Sequence, residues 1–181
     1  EQSINILDTT KRLQETGIAA ITIHGRTKAQ MYKGKANWEI IAQVKHDPEI
    51  DIPVIGNGDI DSPESAENAF RNYGVDGIMI GRATVGKPWL FHAIKTYLQT
   101  GKTPNEPSIP EKVKTAKQHF IKSIEWKGYP RGIYEMRRHL SNYFKGLPHF
   151  KEIRKTLVTS LDKDEILQTL DLIEERYGSF D

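Results

Sequence analysis

Three short apolar runs decide what this chain can fold into. IAAITIH at 18–24, IPVIGN at 52–57 and VDGIMIG at 75–81 are rich in β-branched residues and too short for ordinary helices. Each reads as a buried strand, and each follows a stretch with helical spacing. Residues 3–16 place Ile4, Ile6, Leu7 and Leu13 on one broad face and stop at Gly17. Residues 37–46 repeat the pattern with Trp38, Ile41 and Val44. Ser62-Pro63 supplies an N-cap and a first-turn proline, Ala66, Ala69, Phe70 and Tyr73 form an apolar face, and Gly74 ends the helix. Pro88 opens a further helix through Trp89, Leu90, Ile94 and Leu98 to Gly101. The order α-β-α-β-α-β-α predicts parallel strands with covering helices. Three strands are too few for a complete α/β domain. An eight-stranded α/β barrel usually takes about 250 residues, so this segment matches roughly its last three βα units.

Past the Pro-rich polar stretch at 102–108 the strand signal vanishes. Val113, Ala116, Phe120 and Ile124 fit one helix, and Met136, Leu140, Tyr143 and Phe144 fit another over 131–145. Residues 148–159 and 163–177 predict two more. The expected fold class is therefore α/β plus all-α: the last three βα units of a TIM (β/α)8 barrel over residues 1–101, then a small C-terminal helical bundle over 109–181.

Charge separates the same segments. Residues 1–111 balance at −2, residues 112–155 carry 12 basic and 3 acidic side chains for +9, and residues 156–181 balance at −5. A basic block within a chain of net charge +2 suits either a polyanion-binding face or a solvated helical surface. The chain has no cysteine, which excludes a disulfide framework, a thiolate metal site and a cysteine nucleophile within these 181 residues. The six histidines show no metal-ligand spacing, so no metal site is expected. No apolar run approaches the ~18–20 residues of a membrane helix, and no signal peptide is visible; a cytoplasmic location is expected.

In α/β barrels the chemistry lies at the C-terminal ends of the strands. Here those ends read His24-Gly25-Arg26-Thr27, Asn57-Gly58-Asp59 and Gly81-Arg82-Ala83. Gly58 and Gly81 let the backbone approach an anion closely, and Arg82 adds charge, so the last two turns favour a phosphorylated ligand. His24 is suited to donate to a cofactor ring or a phosphate, or to hold a strand end. Arg26 suits a carbonyl, a phosphate or a carboxylate. Asp59 either orders the Asn-Gly turn or touches ligand.

Taken together, ITIHGRTKAQMYKGKANWEII at 21–41, IPVIGNGDI at 52–60, DGIMIGRATVGKPWLF at 76–91 and RRHLSNYFKGLP at 137–148 resemble, in order, the C-terminal portion of the bacterial tRNA-dihydrouridine synthases, in the subgroup once called nitrogen-regulation proteins. The resemblance implies an enzyme that reduces the C5–C6 bond of particular tRNA uridines, with NADPH reducing FMN and a cysteine as general acid. It assigns FMN to His24, Asn57, Gly58, Asp59, Gly81 and Arg82. It assigns the tRNA to Arg26 and, in the helical part, to Arg131, Arg137, Arg138, Lys145, Lys151 and Arg154. The catalytic cysteine of the family belongs to a loop after the fourth strand, so this chain reads as a fragment without the first half of the barrel, expected to be inactive alone; the full-length protein is expected to be monomeric. Two alternatives compete: another FMN-dependent barrel oxidoreductase acting on a small molecule, and a non-catalytic RNA-binding fragment.

Overall fold

The computed structural model describes residues 4–179, which divide into two compact units: residues 4–84 with Leu90–Pro104, and Val85–Trp89 with residues 105–179. The first unit runs α1 (Ile6–Gln14), β1 (Ile21–His24), α2 (Trp38–Lys45), β2 (Val54–Asn57), α3 (Pro63–Tyr73), β3 (Gly77–Met79), a single 3₁₀ turn (Arg82–Thr84) and α4 (Leu90–Thr100). The strands form one parallel sheet in the order β1-β2-β3. Sequential order with same-handed crossovers keeps the covering helices on one face. The burial agrees. Ile23, Val54 and Gly56 lie on the face that meets α2 and α3 and are buried, whereas Thr22, His24 and Met79 on the opposite face are exposed. The helices thus cover the strands on one side. The strands are shorter than the apolar runs, because a residue counts as strand only where a neighbour pairs with it: Ala19 and Ala20 have none. Among the described residues, β1 and β3 each pair along one edge only.

Helix ends follow local chemistry. Ser62 Oγ accepts from the Ser65 N–H at 3.1 Å while the Ser62 N–H donates to Ser65 Oγ at 3.1 Å, Pro63 occupies the first turn, and Gly74 ends α3 in the left-handed region. Such a cap is worth about 1 kcal/mol. The helix expected at 3–16 begins at Ile6, and Ser3 lies outside the described residues. The helix expected from Pro88 begins at Leu90. At the opposite end of the sheet from its polar turns, Asp76 accepts from Lys45 Nζ at 2.8 Å and from the Val54 N–H at 2.7 Å, tying α2 to the starts of β2 and β3.

The second unit is helical among the described residues: α5 (Ile109–Lys127), α6 (Arg131–Tyr143), α7 (Lys151–Thr159) and α8 (Lys163–Tyr177). Val113, Ala116 and Phe120 of α5 meet Ile133, Met136 and Leu140 of α6, Leu157 of α7, and Ile166, Leu170 and Ile173 of α8 in one continuous core. Truncating any of these leucines to alanine costs about 2–5 kcal/mol. Glu111 holds the start of α5, accepting from the Ser108 N–H and hydroxyl at 2.8 Å each. Asp162 caps α8 through the N–H groups of Asp164 and Glu165 at 2.8 and 3.1 Å. Among the described residues no helix is long and apolar enough to cross a membrane, and no group of three or more acidic or histidine side chains is placed to hold a metal ion.

Candidate cofactor-binding cleft

The sheet register brings the polar turns together. His24 pairs with Asn57 and Asn57 with Met79, so these three residues form one layer across the C-terminal ends of the strands, on the face the helices leave open. Above them is a cleft of ≈ 570 Å³, lined by His24, Tyr32, Asn57, Gly58, Asp59, Gly81 and Arg82 among others. Its volume is within the ~300–1,000 Å³ of small-molecule and cofactor sites.

Some lining groups are engaged and others are open. His24 Nδ1 accepts from the Arg26 N–H at 3.1 Å, which leaves the ring proton on Nε2 as a donor. Asn57 Nδ2 donates to the Met79 carbonyl at 2.6 Å and so links β2 to β3. Gly58 is at φ +130°, and a Cβ there would meet Ala36 at 2.6 Å, so both its conformation and its neighbour require glycine. A Cβ on Gly81 would meet nothing within 4 Å, which leaves that backbone bare. Neither Gly58 nor Gly81 spends its N–H on a carbonyl among the described residues. The turn after β2 is steadied from below by Trp38, whose indole N–H donates to the Gly58 carbonyl at 2.9 Å. The Trp38 ring occupies the space that a side chain on Gly56 would need.

Asp59, at φ +54°, orders the turn. Its carboxylate accepts from Arg26 at 2.6 Å, from the Ala36 N–H at 2.8 Å and from Arg82 at 3.0 Å. Burial alone would raise its pKa, but the Ala36 N–H and the two guanidinium groups outweigh burial and hold it below the usual carboxylate range. Arg26, expected on the substrate side, is drawn inward under the loop. Its side chain is 3% exposed, and its guanidinium donates to Asp59, the Gly34 carbonyl at 2.6 Å and the Lys33 carbonyl at 3.4 Å, while Nη1 is buried without a partner among the described residues. It braces the loop after β1 and does not line the cleft. Arg82 is half-exposed, with its guanidinium 4.6 Å above the ring of Tyr32.

The model of the dihydrouridine synthase (Dus) family matches residues 1–177. This chain belongs to the dihydrouridine synthase family. It is 42% identical over 151 residues to a probable tRNA-dihydrouridine synthase of Rickettsia prowazekii (strain Madrid E), covering 83% of this chain and 45% of that protein. It is 43% identical over 141 residues to tRNA-dihydrouridine synthase B of Xanthomonas campestris pv. campestris, covering 78% of this chain and 42% of the relative. A probable tRNA-dihydrouridine synthase 1 of Synechocystis sp. matches at 40% over 154 residues, 85% and 42% of the two chains. The chain spans about half the length of the curated relatives it matches.

In the helical unit of this Dus chain the six basic residues singled out by sequence fall into two groups. Arg138, Lys145 and Lys151 are exposed, and their side chains form no ion pair among the described residues. The other three are engaged: Arg131 with Glu135 at 2.9 Å, Arg137 with the Thr159 carbonyl at 3.0 Å and the Tyr134 ring at 4.8 Å, and Arg154 with Ser141 Oγ at 2.9 Å.

Two features of the Dus chain were not read as parts of a site from the sequence. Tyr32 lines the cleft, but a lone aromatic in a polar loop gives no periodic signal. His119 and His139 stack edge to face with centroids 4.7 Å apart, and His119 Nδ1 lies 3.2 Å from the Tyr143 hydroxyl. They stand twenty positions apart in sequence on α5 and α6, and only the packing of those helices brings them together. Burial lowers the pKa of both and pushes the Tyr143 hydroxyl up to about 12.

Proposed function

We propose that this chain supplies part of the flavin site and the RNA-binding helices of an FMN-dependent tRNA-dihydrouridine synthase. Residues 1–101 are the last three βα units of a TIM barrel and 109–181 a small helical bundle that grips tRNA. The observation that carries the reading is the cleft at the C-terminal strand ends, with His24 and Asn57 in one register layer beside the Gly58 turn, the open Gly81 backbone and Arg82, in a chain of the Dus family.

The residues fit flavin mononucleotide. The Gly58 and Gly81 N–H groups are open donors, the space over Gly81 is clear, and Arg82 adds positive charge, all suited to a terminal phosphate. His24 offers its Nε2–H to a ring acceptor or a phosphate oxygen, and Asn57 presents its amide beside it. Bound FMN supplies hydride transfer, with NADPH as the source of electrons. Asp59 and Arg26 act through others: Asp59 aims Arg82 and holds the turn, and Arg26 holds the loop after β1. In the helical unit Arg138, Lys145 and Lys151 are free to meet phosphates, while Arg131, Arg137 and Arg154 add field from engaged positions. The chain has no cysteine, so the general acid that the family resemblance assigns to one comes from outside these 181 residues, and the residues alone do not turn over. The whole protein works as a monomer in the cytoplasm and needs no metal.

The test is to purify the complete protein carrying these residues, measure its flavin absorbance, reduce it with NADPH and add undermodified tRNA. Bound FMN that is reoxidised by the tRNA, with dihydrouridine formed, supports the reading. An apoprotein that takes up no FMN, or reduced flavin that tRNA leaves unchanged, overturns it.

A further inference from the structure

The loop between β1 and α2 is built rigidly and yet projects side chains that globular proteins usually bury. From Gly25 to Asn37 it carries Arg26, Lys28, Lys33 and Lys35 and no acidic residue. Its base is closed by the Asn37 N–H donating to the Gly25 carbonyl at 2.6 Å and by the Ala36 N–H to Asp59. Arg26 crosses beneath it to the carbonyls of Lys33 and Gly34. At the tip the Thr27 N–H donates to Gln30 Oε1 at 2.8 Å and the Lys33 N–H to the Gln30 carbonyl at 2.9 Å. With its backbone held this way, the loop leaves Met31 70% and Tyr32 67% exposed. Lys28, Lys33 and Lys35 form no ion pair among the described residues. Tyr32 both lines the cleft and carries Arg82 over one ring face.

Exposed aromatic and thioether surface in a braced loop, ringed by unpaired cations at the mouth of a cleft, is an arrangement for presentation to a partner. The chemistry selects the partner. Three ammonium groups that form no ion pair among the described residues call for a polyanion, and an exposed ring calls for flat π surface, which an unpaired nucleotide offers and a duplex hides. We infer that residues 27–35 form an RNA-contacting flap, in which Tyr32 stacks on an unpaired nucleotide next to the target uridine and Lys28, Lys33 and Lys35 hold the phosphates around it. The inference rests on the tRNA reading above and names the surface in the first unit that meets the substrate.

The experiment uses the complete protein and follows two readouts: flavin reduction by NADPH, and binding of unmodified tRNA across a salt series. Tyr32→Ala weakens tRNA binding by about tenfold, and Tyr32→Phe, which keeps the ring, restores it. The triple variant Lys28→Ala, Lys33→Ala, Lys35→Ala flattens the salt dependence of log K by roughly 2, with NADPH-driven flavin reduction unchanged. Unaltered tRNA affinity in Tyr32→Ala, or a Tyr32→Phe variant as weak as alanine, overturns the stacking role. An unchanged salt slope in the triple variant overturns the phosphate contacts. Failure of the unsubstituted protein to bind tRNA at all, with flavin reduction intact, removes the tRNA reading itself and is distinguishable from either.

Discussion

Gly56→Ala tests how the turn after β2 is held. A Cβ at residue 56 would lie 2.4 Å from Cζ3 and 2.7 Å from Cη2 of Trp38. Ordinary carbon contacts begin near 3.5 Å, so the indole must recede by about 1 Å. Two contacts resist: the hydrogen bond from Trp38 Nε1 to the Gly58 carbonyl at 2.9 Å and the tilted packing on Tyr73 with centroids 5.5 Å apart. Overpacking of this kind costs about 1–3 kcal/mol, and a lost buried hydrogen bond about 1 kcal/mol more. Alanine returns about 0.5–1 kcal/mol through the stiffer backbone of the unfolded chain, so the net expectation is a loss of about 1–3 kcal/mol. Denaturant unfolding of the complete protein reads this directly. Flavin affinity should fall as well, because the Gly58 carbonyl loses the indole donor that fixes the turn. Placing Gly56→Ala in a Trp38→Phe background should reduce its cost, since the smaller ring already vacates the space. An unchanged or higher midpoint for Gly56→Ala, or strict additivity with Trp38→Phe, would refute the reasoning.

Other outcomes follow from the same geometry. Asp59→Asn keeps the shape but removes the charge that faces two guanidinium groups, one of them on a side chain only 3% exposed; because the carboxylate itself is about a third exposed, a loss of about 1–2 kcal/mol and weaker FMN retention are expected, by thermal melting and flavin release. Because the pKa of Asp59 is depressed on folding, its contribution is present above the unfolded value of about 4 and disappears as pH falls through the folded value, so the wild type should lose the difference from Asp59→Asn in strong acid. His119 and His139 also have depressed pKa values. The unfolded chain therefore binds more protons below about pH 6.5, and stability declines from there downward as the unfolded state is favoured. His139→Phe should flatten that decline in melts at successive pH values, and an equally steep decline in the variant would show that the pair is not its source. Ser62→Ala should cost about 1 kcal/mol with flavin binding retained, and a neutral result would mean that the reciprocal bonds with Ser65 do not hold α3.

What was legible in the sequence was what local chemistry encodes. The three strands announce themselves as β-branched runs, Ser62-Pro63 and Gly74 bracket α3, and the apolar stripe of Ile166, Leu170 and Ile173 marks α8 over Lys163–Tyr177. The polar turns at the strand ends could be found because parallel order puts all strand C-termini on one rim. Strand length was not legible, since it depends on where a neighbour stops pairing. Nor was the fate of Arg26, whose motif position invites a ligand while the carboxylate that captures it is thirty-three residues away. Tyr32 and the His119–His139 stack belong to the same class: their meaning comes from neighbours that only the tertiary fold supplies.

Among the described residues the sheet has two unpaired margins, the outer side of β1 and the outer side of β3. Each is a row of backbone donors and acceptors waiting for a strand, flanked by apolar helix surface such as Phe91 and Leu98 on the β3 side. Supplied in trans with the portion of the family sequence it does not contain, the chain should assemble by strand addition at both margins at once, and recovered flavin binding would then report on the meeting of the halves. The interface would be self-specifying, because a one-residue slip in either register would turn the incoming strand's side chains away from the open face on which His24 and Asn57 lie and erase the signal.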